Sequence, residues 1–129
     1  MTVKLRDATG VAVIEPEGRL DARTAGALRR RLKDLIEGGR HKIVADLRRV
    51  EFVDSVGLAA LVSGLKLART HAGDLRLAAL QDPVRMIFEI TRLYRTFDIH
   101  EDPADAVEAF ARSMAPRPHA AGVQSVARA

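Results

Sequence analysis

Short β-prone apolar runs alternate with longer amphipathic segments along most of the chain, and this alternation constrains the fold most strongly. An opening hairpin is predicted from residues 3–6 and 11–15, which the turn-forming sequence DATG joins. The complete predicted order is ββαβαβαβα. Strands that alternate with helices pair in parallel through right-handed crossovers. We therefore predict an α/β fold with a small mixed β-sheet flanked by about four helices.

The periodicity of the apolar residues also gives bounds for the later elements. Predicted strands lie at 42–47, which 50–53 could continue, and at 74–80 and 97–99. Predicted helices cover 18–39, 55–70, 81–94 and 101–114. The first helix would have Asp21 or Thr24 as its N-cap and would end at Gly38-Gly39, and the third would begin with Asp82 as N-cap and Pro83 at the first helical position.

Composition supplies a core and excludes several classes of protein. Hydrophobic residues make up 47% of the 129 residues, but only one Tyr and four Phe are present, so Leu, Ile, Val and Ala must fill the core. The chain has no cysteine and hence no disulfide. Its N-terminus does not resemble a signal peptide, and no apolar run approaches the ~20 residues of a membrane span. We expect a soluble, cytoplasmic protein that does not insert into membranes.

The net charge of +4 comes mostly from the C-terminal end. Residues 112–129 hold Arg112, Arg117 and Arg128 and no acid, so removing these three from 21 basic residues leaves 18, against 17 acidic residues. The basic run RRRLK at 29–33 has no aromatic residue within it, which is typical of a solvated helix face. We expect no direct nucleic-acid binding. Residues 1–112 are predicted to form one domain, and 113–129 a flexible, disordered basic tail.

The sequence VEFVDSVGLAALV, residues 50–62, places an aspartate and a serine where a strand gives way to a helix. Asp54 or Ser55 would serve as the helix N-cap there. The same free N–H groups and the positive end of the helix dipole favour an anion. A phosphate on Ser55 would add a charge of about −1.5 to −2 beside Asp54 without unfolding the helix. From the residues alone, a structural cap and a phosphorylation site are both open.

The helix that begins at Ser55 has apolar residues on two sides. A small, uncharged outer face is typical of a contact surface, which a partner, another helix or a dimer mate would cover. Gly57, in the first turn, would allow close approach of another backbone, from a partner or from within the domain. The expected core residues are Leu58, Leu61, Val62 and Leu65, and the expected outer residues are Val56, Ala59, Ala60, Ser63 and Leu67.

Three stretches taken together resemble the STAS domain, and in particular bacterial anti-sigma factor antagonists. They are VIEPEGRLDARTAGALRRRL, then IVADLRRVEFVDSVGLAALV, and finally LRLAAL followed by VRMIFEITRLYRTFDIHEDPADAVEAF. The resemblance covers roughly residues 3–112 and implies a single STAS-type domain. It also implies a regulatory protein that acts by binding and is not an enzyme.

In that family, an anti-sigma factor that is also an ATP-dependent serine kinase phosphorylates the serine that follows the aspartate. The unphosphorylated antagonist binds the anti-sigma factor and frees a sigma factor. Ser55 matches that serine and is the implied phosphorylation site, with ATP bound by the partner and no cofactor held by this chain. Homodimerisation is left open. The implied partner-binding residues are Asp21, Asp54, Val56, Gly57, Leu58, Ala60 and Ser63.

Two positions depart from the family pattern. Many relatives have a second Ser or Thr where this chain has Val56, so Ser55 offers the only hydroxyl at the junction. Many relatives also have Gly before the residue that Tyr94 matches, whereas this chain has Leu93. We therefore expect the third helix to present a different surface.

Other functions fit these residues less well or equally well. A non-phosphorylated STAS subunit of a lipid-transport ABC system, or of a stressosome-like complex, stays an alternative within the fold. A receiver-type phosphoacceptor would need an acidic pair and a lysine, which Gly18-Arg19 and Leu80-Gln81 do not provide. The sequence contains no glycine-rich phosphate-binding motif, and its four histidines lack metal-ligand spacing, so we expect no metal site.

Overall fold

Six strands, four α-helices and one 3-10 helix make up residues 1–113, the part of the chain that the computed structural model describes. The predicted tail lies outside the described residues, except that Ser113 ends the last helix. The elements are β1 (Thr2–Ala8), β2 (Val11–Leu20), α1 (Ala25–Glu37), β3 (Lys42–Asp46), β4 (Val50–Val53), α2 (Ser55–Thr70), β5 (Asp74–Ala78), α3 (Asp82–Ile90), the 3-10 helix Leu93–Arg95, β6 (Ile99–His100) and α4 (Pro103–Ser113).

The strands form one mixed sheet in the order β1-β2-β3-β5-β6, with β4 paired to β2. β1 and β2 form the predicted antiparallel hairpin, and the other pairs are parallel. The two turn residues of the hairpin, Thr9 and Gly10, both have positive φ, which matches the right-handed twist of the two strands. The predicted α/β architecture with a small mixed sheet and four helices is confirmed.

The long strand β2 differs most from the sequence-based prediction. Residues 18–20 were expected in the first helix, but they extend β2 because β4 pairs with them in parallel. β3 and β4 pair with successive parts of β2. Between them is a turn in which the Val50 N–H donates to the Leu47 carbonyl at 3.0 Å. Residues 50–53 therefore form a separate strand instead of a simple continuation of β3.

The sheet separates a large core from a small one. Helices α1, α2 and α3 cover one face, toward which Ala12 and Ile14 of β2 point. On the other face, Val11 and Val13 of the same strand join a small apolar cluster with α4. As predicted, Leu, Ile, Val and Ala supply most of the buried side chains.

Several element ends also differ from the predictions. Gln81 is the N-cap of α3, so Asp82 is the first helical residue and Pro83 the second. α3 stops at Ile90 because Arg92 adopts a left-handed conformation, with φ at +61°, before the 3-10 helix. The last strand is Ile99–His100, two residues later than expected. By contrast, α2 has the predicted bounds and Gly38 follows α1 as predicted.

Within the residues described, we find no helix long and apolar enough to cross a membrane.

Candidate functional site

The ends of β2 and β4 bring the starts of two helices together. Leu20 and Val53 are paired residues at these strand ends, and the Asp54 N–H extends the pairing by donating to the Leu20 carbonyl at 3.1 Å. α2 begins directly after Asp54, and α1 begins after a short loop. Polar groups at the carboxyl ends of neighbouring parallel strands thus meet at one edge of the sheet, the place where α/β proteins commonly bind ligands.

The Asp54 carboxylate holds this edge together. Asp54 is the N-cap of α2, and its Oδ1 accepts a hydrogen bond from the Gly57 N–H at 2.9 Å. Its Oδ2 accepts from the Ala22 N–H, in the loop before α1, at 3.3 Å. One side chain therefore satisfies a free N–H of α2 and also ties the two helix starts together. Of the two N-cap residues left open by the sequence, the structure selects Asp54.

The Ser55 side chain has no structural role at this junction. It is the first residue of α2, and it is exposed. Within residues 1–113 no group forms a hydrogen bond with its hydroxyl, since Asp54 alone supplies the cap. The hydroxyl lies at the positive end of the α2 dipole, where an attached anion is stabilised. The side chain is therefore accessible for modification, and the helix start would tolerate a phosphate.

Asp21 lies in the loop that Asp54 binds. Its Oδ1 accepts a hydrogen bond from the Arg23 N–H at 2.9 Å, and Arg19 Nε lies 3.5 Å from its Oδ2. The backbone bond from Arg23, followed by the Arg19 side chain, lowers the pKa of Asp21 below its usual value of 3.8. Asp21 therefore presents a fixed negative charge beside the junction at neutral pH.

Gly57 and Leu58 are buried beneath the junction. A Cβ atom added at Gly57 would overlap the Leu20 carbonyl oxygen and lie 2.8 Å from Leu20 Cγ. Glycine is therefore required because α2 crosses very close to the end of β2. Of the two interpretations of Gly57, tight packing within the domain is the one that the structure shows.

Ala60 is fully buried, so its expected position on the outer face of α2 was wrong. α2 packs on the sheet with one side and on α1 with the next side, and this makes its buried arc wider than one stripe. The approach of α1 is close, since a Cβ at Gly64 would lie 2.6 Å from Leu32 Cδ1. A sequence pattern cannot show how many neighbours a helix has, so it placed Ala60 on the wrong side.

The outer surface of α2 that remains is small and uncharged near the helix start. We call it the α2 outer strip. Leu67, further along the helix, is half-buried and packs at the edge of the large core. Exposed small or apolar side chains at a helix start can be covered by a partner without burying a charge. The strip consists of Ser55, Val56, Ala59 and Ser63.

Arg19 and Phe52 are site residues that the sequence analysis missed. Phe52 is exposed two residues before Asp54, and the Arg19 guanidinium carbon lies 4.0 Å from the centre of its ring. The same Arg19 approaches Asp21. The pairing of β2 with β4 brings Arg19 and Phe52 together. Since that pairing was not predicted, no sequence pattern linked these two residues.

No cluster suited to a metal ion occurs in the described part of the chain, where no three His, Cys, Asp or Glu side chains converge.

Comparison with known proteins identifies the family. The STAS domain model matches residues 2–106. This chain belongs to the STAS domain family. An anti-sigma-B factor antagonist from Bacillus subtilis is 33% identical to this STAS domain over 82 residues, which are 64% of this chain and 74% of the relative. The resemblance to bacterial anti-sigma factor antagonists that the motifs indicated is thereby confirmed.

Solved structures agree with this assignment. An anti-sigma factor antagonist from Mycobacterium paratuberculosis matches with a TM-score of 0.76 and 30% identity, over 84% of this chain and 92% of that one. The Bacillus cell fate determinant SpoIIAA in its phosphorylated form matches with a TM-score of 0.67 and 21% identity, over 84% of this chain and 99% of its own. The SpoIIAA likeness shows the fold alone.

Proposed function

We propose that this STAS domain is an anti-sigma factor antagonist, and that phosphorylation of Ser55 by its partner, an ATP-binding anti-sigma factor with serine kinase activity, switches it off. The observation that carries the proposal is the free Ser55 hydroxyl, exposed at the start of α2 beside an aspartate that already caps the helix. Relatives named as anti-sigma factor antagonists support the binding role. This function places the protein in the cytoplasm, where the partner obtains ATP.

The α2 outer strip supplies the docking surface in this proposal. Val56, Ala59 and Ser63 carry no charge, so a partner would cover them at low desolvation cost. A phosphate on Ser55 would place a charge of about −1.5 to −2 within that contact, next to the Asp54 carboxylate. The partner would then have to bury an unpaired charge, and binding would weaken. The α2 dipole stabilises the same phosphate, so the domain stays folded in the phosphorylated form.

The other residues implied by the family pattern divide into two groups. Asp21 stays ionised and would pair with a basic group of the partner, while Asp54 fixes the position of Ser55. Gly57 and Leu58 support the strip from beneath, and the buried Ala60 is not part of the docking surface. This chain is the phosphoryl acceptor only. The partner binds Mg-ATP, transfers its γ-phosphoryl group to Ser55 Oγ and releases ADP.

The proposal is tested by a pull-down from an extract of the source cell, with the tagged protein as bait and Mg-ATP added or withheld. Mass spectrometry then identifies the bound proteins and the phosphorylated residue. We expect a kinase that is retained without ATP and released with it, together with phosphate on Ser55. Ser55→Ala should be retained in both conditions, and Ser55→Asp should bind weakly. Thr70→Ala, which removes an exposed hydroxyl at the opposite end of α2, is the matched control and should still be phosphorylated at Ser55 and released.

Two outcomes contradict this proposal. If Ser55→Asp binds the partner as tightly as the parent does, the electrostatic switch is wrong. If transporter subunits or a stressosome-like complex stay bound while Ser55 is unmodified, the chain is instead a constitutive STAS subunit.

A further inference from the structure

A second exposed apolar surface lies on α3 and the 3-10 helix. Met86, Ile90 and Tyr94 are 58%, 71% and 45% exposed, and they are three of the six large hydrophobic side chains that are exposed among residues 1–113. Successive members are four residues apart, so Met86 and Ile90 share one face of α3. Val84 and Phe88 already anchor this helix in the core. α3 therefore has a second apolar face, at a position where a surface helix normally presents polar side chains to solvent.

A groove beside this face is large enough to receive side chains. It measures about 480 Å³ and is lined by Arg85, Phe88, Glu89, Tyr94 and Ile99. Its floor is apolar, and a charged pair of opposite sign lies along the flank of α3. An occupant must therefore bring apolar groups together with both a positive and a negative charge.

The two flanking charges are available for such an occupant. Arg85 and Glu89 are one turn apart, yet no ion pair joins them within residues 1–113. The Glu89 carboxylate has no hydrogen-bond or ion-pair partner among the described residues, and Arg85 Nη2 lies 3.7 Å from Oε1 of Glu101, a residue that is itself highly exposed. An exposed pair at this distance is weak, so Arg85 can exchange it for another at little cost.

We infer that two copies of this chain associate through this surface, with their α3 helices antiparallel across a two-fold axis. An axis passing near Phe88 places Met86 opposite Ile90 of the second copy, and Ile90 opposite Met86 of the second copy. The same arrangement leaves Arg85 and Glu89 of the second copy about 3 Å out of register along the helix axes, an offset that these long side chains can span, and the symmetry makes each contact twice. Antiparallel helices also set each positive dipole end beside a negative one. The charge pattern Arg85–Glu89 is thus complementary to itself.

Other occupants match this surface less well. The segment that follows the described residues leaves from α4, on the opposite face of the sheet, and residues 114–129 contain no acid and only Met114, Val123 and Val126 as larger apolar side chains. An anionic membrane would attract Arg85, Arg92 and Arg95 but would repel Glu89 and Asp82, and it would leave both acids unpaired. A second copy supplies both charges and the apolar stripe at the required spacing. The surface shares no residue with the α2 outer strip, so the dimer carries two Ser55 switches.

The test uses charge reversal in the full chain, read by sedimentation velocity over a concentration series. Arg85→Glu alone and Glu89→Arg alone should each weaken self-association at least about tenfold, because like charges then face each other. An equimolar mixture of the two variants should recover it, because an acidic flank then faces a basic one. Ile90→Glu should abolish association. Leu5→Lys, a change at an exposed apolar residue of β1, is the matched control and should associate like the parent.

Circular dichroism melting of each variant checks that the domain is folded, as we expect since all three α3 side chains lie at the surface. A parent that stays monomeric over the whole series overturns the inference, and so does a mixture that associates no better than either single variant. Flotation with anionic phosphatidylserine vesicles gives a further contrary result. If the parent is monomeric and binds these vesicles, and the Ile90→Glu variant does not bind them, the face is a membrane contact instead.

Discussion

The two helices that begin at the same edge of the sheet use their polar residues in different ways. At the start of α2, the Asp54 carboxylate caps the helix and the Ser55 hydroxyl is free. At the start of α1, Thr24 holds the N-cap position but its hydroxyl points back into the loop. It donates to the Arg19 carbonyl at 2.7 Å and accepts from the Asp21 N–H at 3.0 Å. One hydroxyl is thus part of the structure, and the other is available to a partner.

This difference shows what makes a hydroxyl at a helix start suitable as a switch. A serine or threonine that forms structural hydrogen bonds cannot be modified without a loss of stability. A serine beside an aspartate cap can be modified because its hydroxyl has no such role. The arrangement favours Ser55 over Thr24 as a phosphoacceptor, although both residues lie near one edge of the sheet.

The glycines near the two helix starts should give the largest contrast. Gly57→Ala should destabilise the domain by about 2–3 kcal/mol, because the new Cβ overlaps the backbone of Leu20 and the close contact cannot relax cheaply. Gly26→Ala, near the start of α1, meets no atom within 4 Å and should stabilise by up to about 1 kcal/mol. Urea unfolding measures both. Equal effects would show that the two helix starts are packed equally loosely.

Removing the carboxylate that joins the two helix starts should have the next largest effect. Asp54→Ala should cost about 1–2 kcal/mol because α2 loses its cap and Ala22 loses its acceptor. Asp54→Asn should retain most of this stability, since the amide oxygen still accepts a hydrogen bond. Hydrogen exchange at the Gly57 and Ala22 amides provides the site-specific measurement. Faster exchange at Gly57 alone would mean that Asp54 does not hold the α1 loop.

The two hydroxyls should differ by a smaller amount. Thr24→Ala should destabilise the domain by about 0.5–1.5 kcal/mol because the Arg19 carbonyl and the Asp21 N–H lose their partner. Ser55→Ala should stay within about 0.5 kcal/mol of the parent, because its hydroxyl makes no bond to lose. Thr24→Ser is the control that keeps the hydroxyl. Chemical denaturation of the parent and the three variants measures the free energy of unfolding. A larger loss for Ser55→Ala than for Thr24→Ala would contradict the comparison.

The smallest effect should come from the titration of Asp21. Its folded-state pKa is lowered from 3.8, so the charged form contributes stability above that value, and this contribution is lost as pH falls through the folded-state pKa. Asp21→Asn should therefore differ from the parent at neutral pH, and the difference should shrink in acid. Urea midpoints on either side of 3.8 test this, with the Asp21 carboxyl resonance followed by NMR. A stability difference that does not change with pH would show that the charge of Asp21 does not stabilise the fold.

Local sequence patterns predicted much of the fold and the centre of the site. The hairpin, the four helices and the bounds of α2 all follow from short-range periodicity and turn residues, which act before any tertiary contact forms. The same patterns identified Asp54 as a cap candidate and Ser55 as a modification candidate. They failed for residues 18–20, whose strand conformation depends on pairing with a segment about thirty residues away. They also failed for Ala60, whose burial depends on the position of α1.

By itself, the sequence determined the α/β layers, the apolar core and an aspartate–serine pair at a helix start, because these depend on side-chain type and spacing along one segment. Only the tertiary structure decided that Asp54 is the cap and that the Ser55 hydroxyl is free. The cap bond from the Gly57 N–H to Asp54 Oδ1 is local, whereas the second bond, from the Ala22 N–H to Asp54 Oδ2, depends on the parallel pairing of β2 with β4. Tertiary packing also decided that Met86, Ile90 and Tyr94 are all exposed to solvent, because the positions of the neighbouring elements determine which apolar side chains are buried.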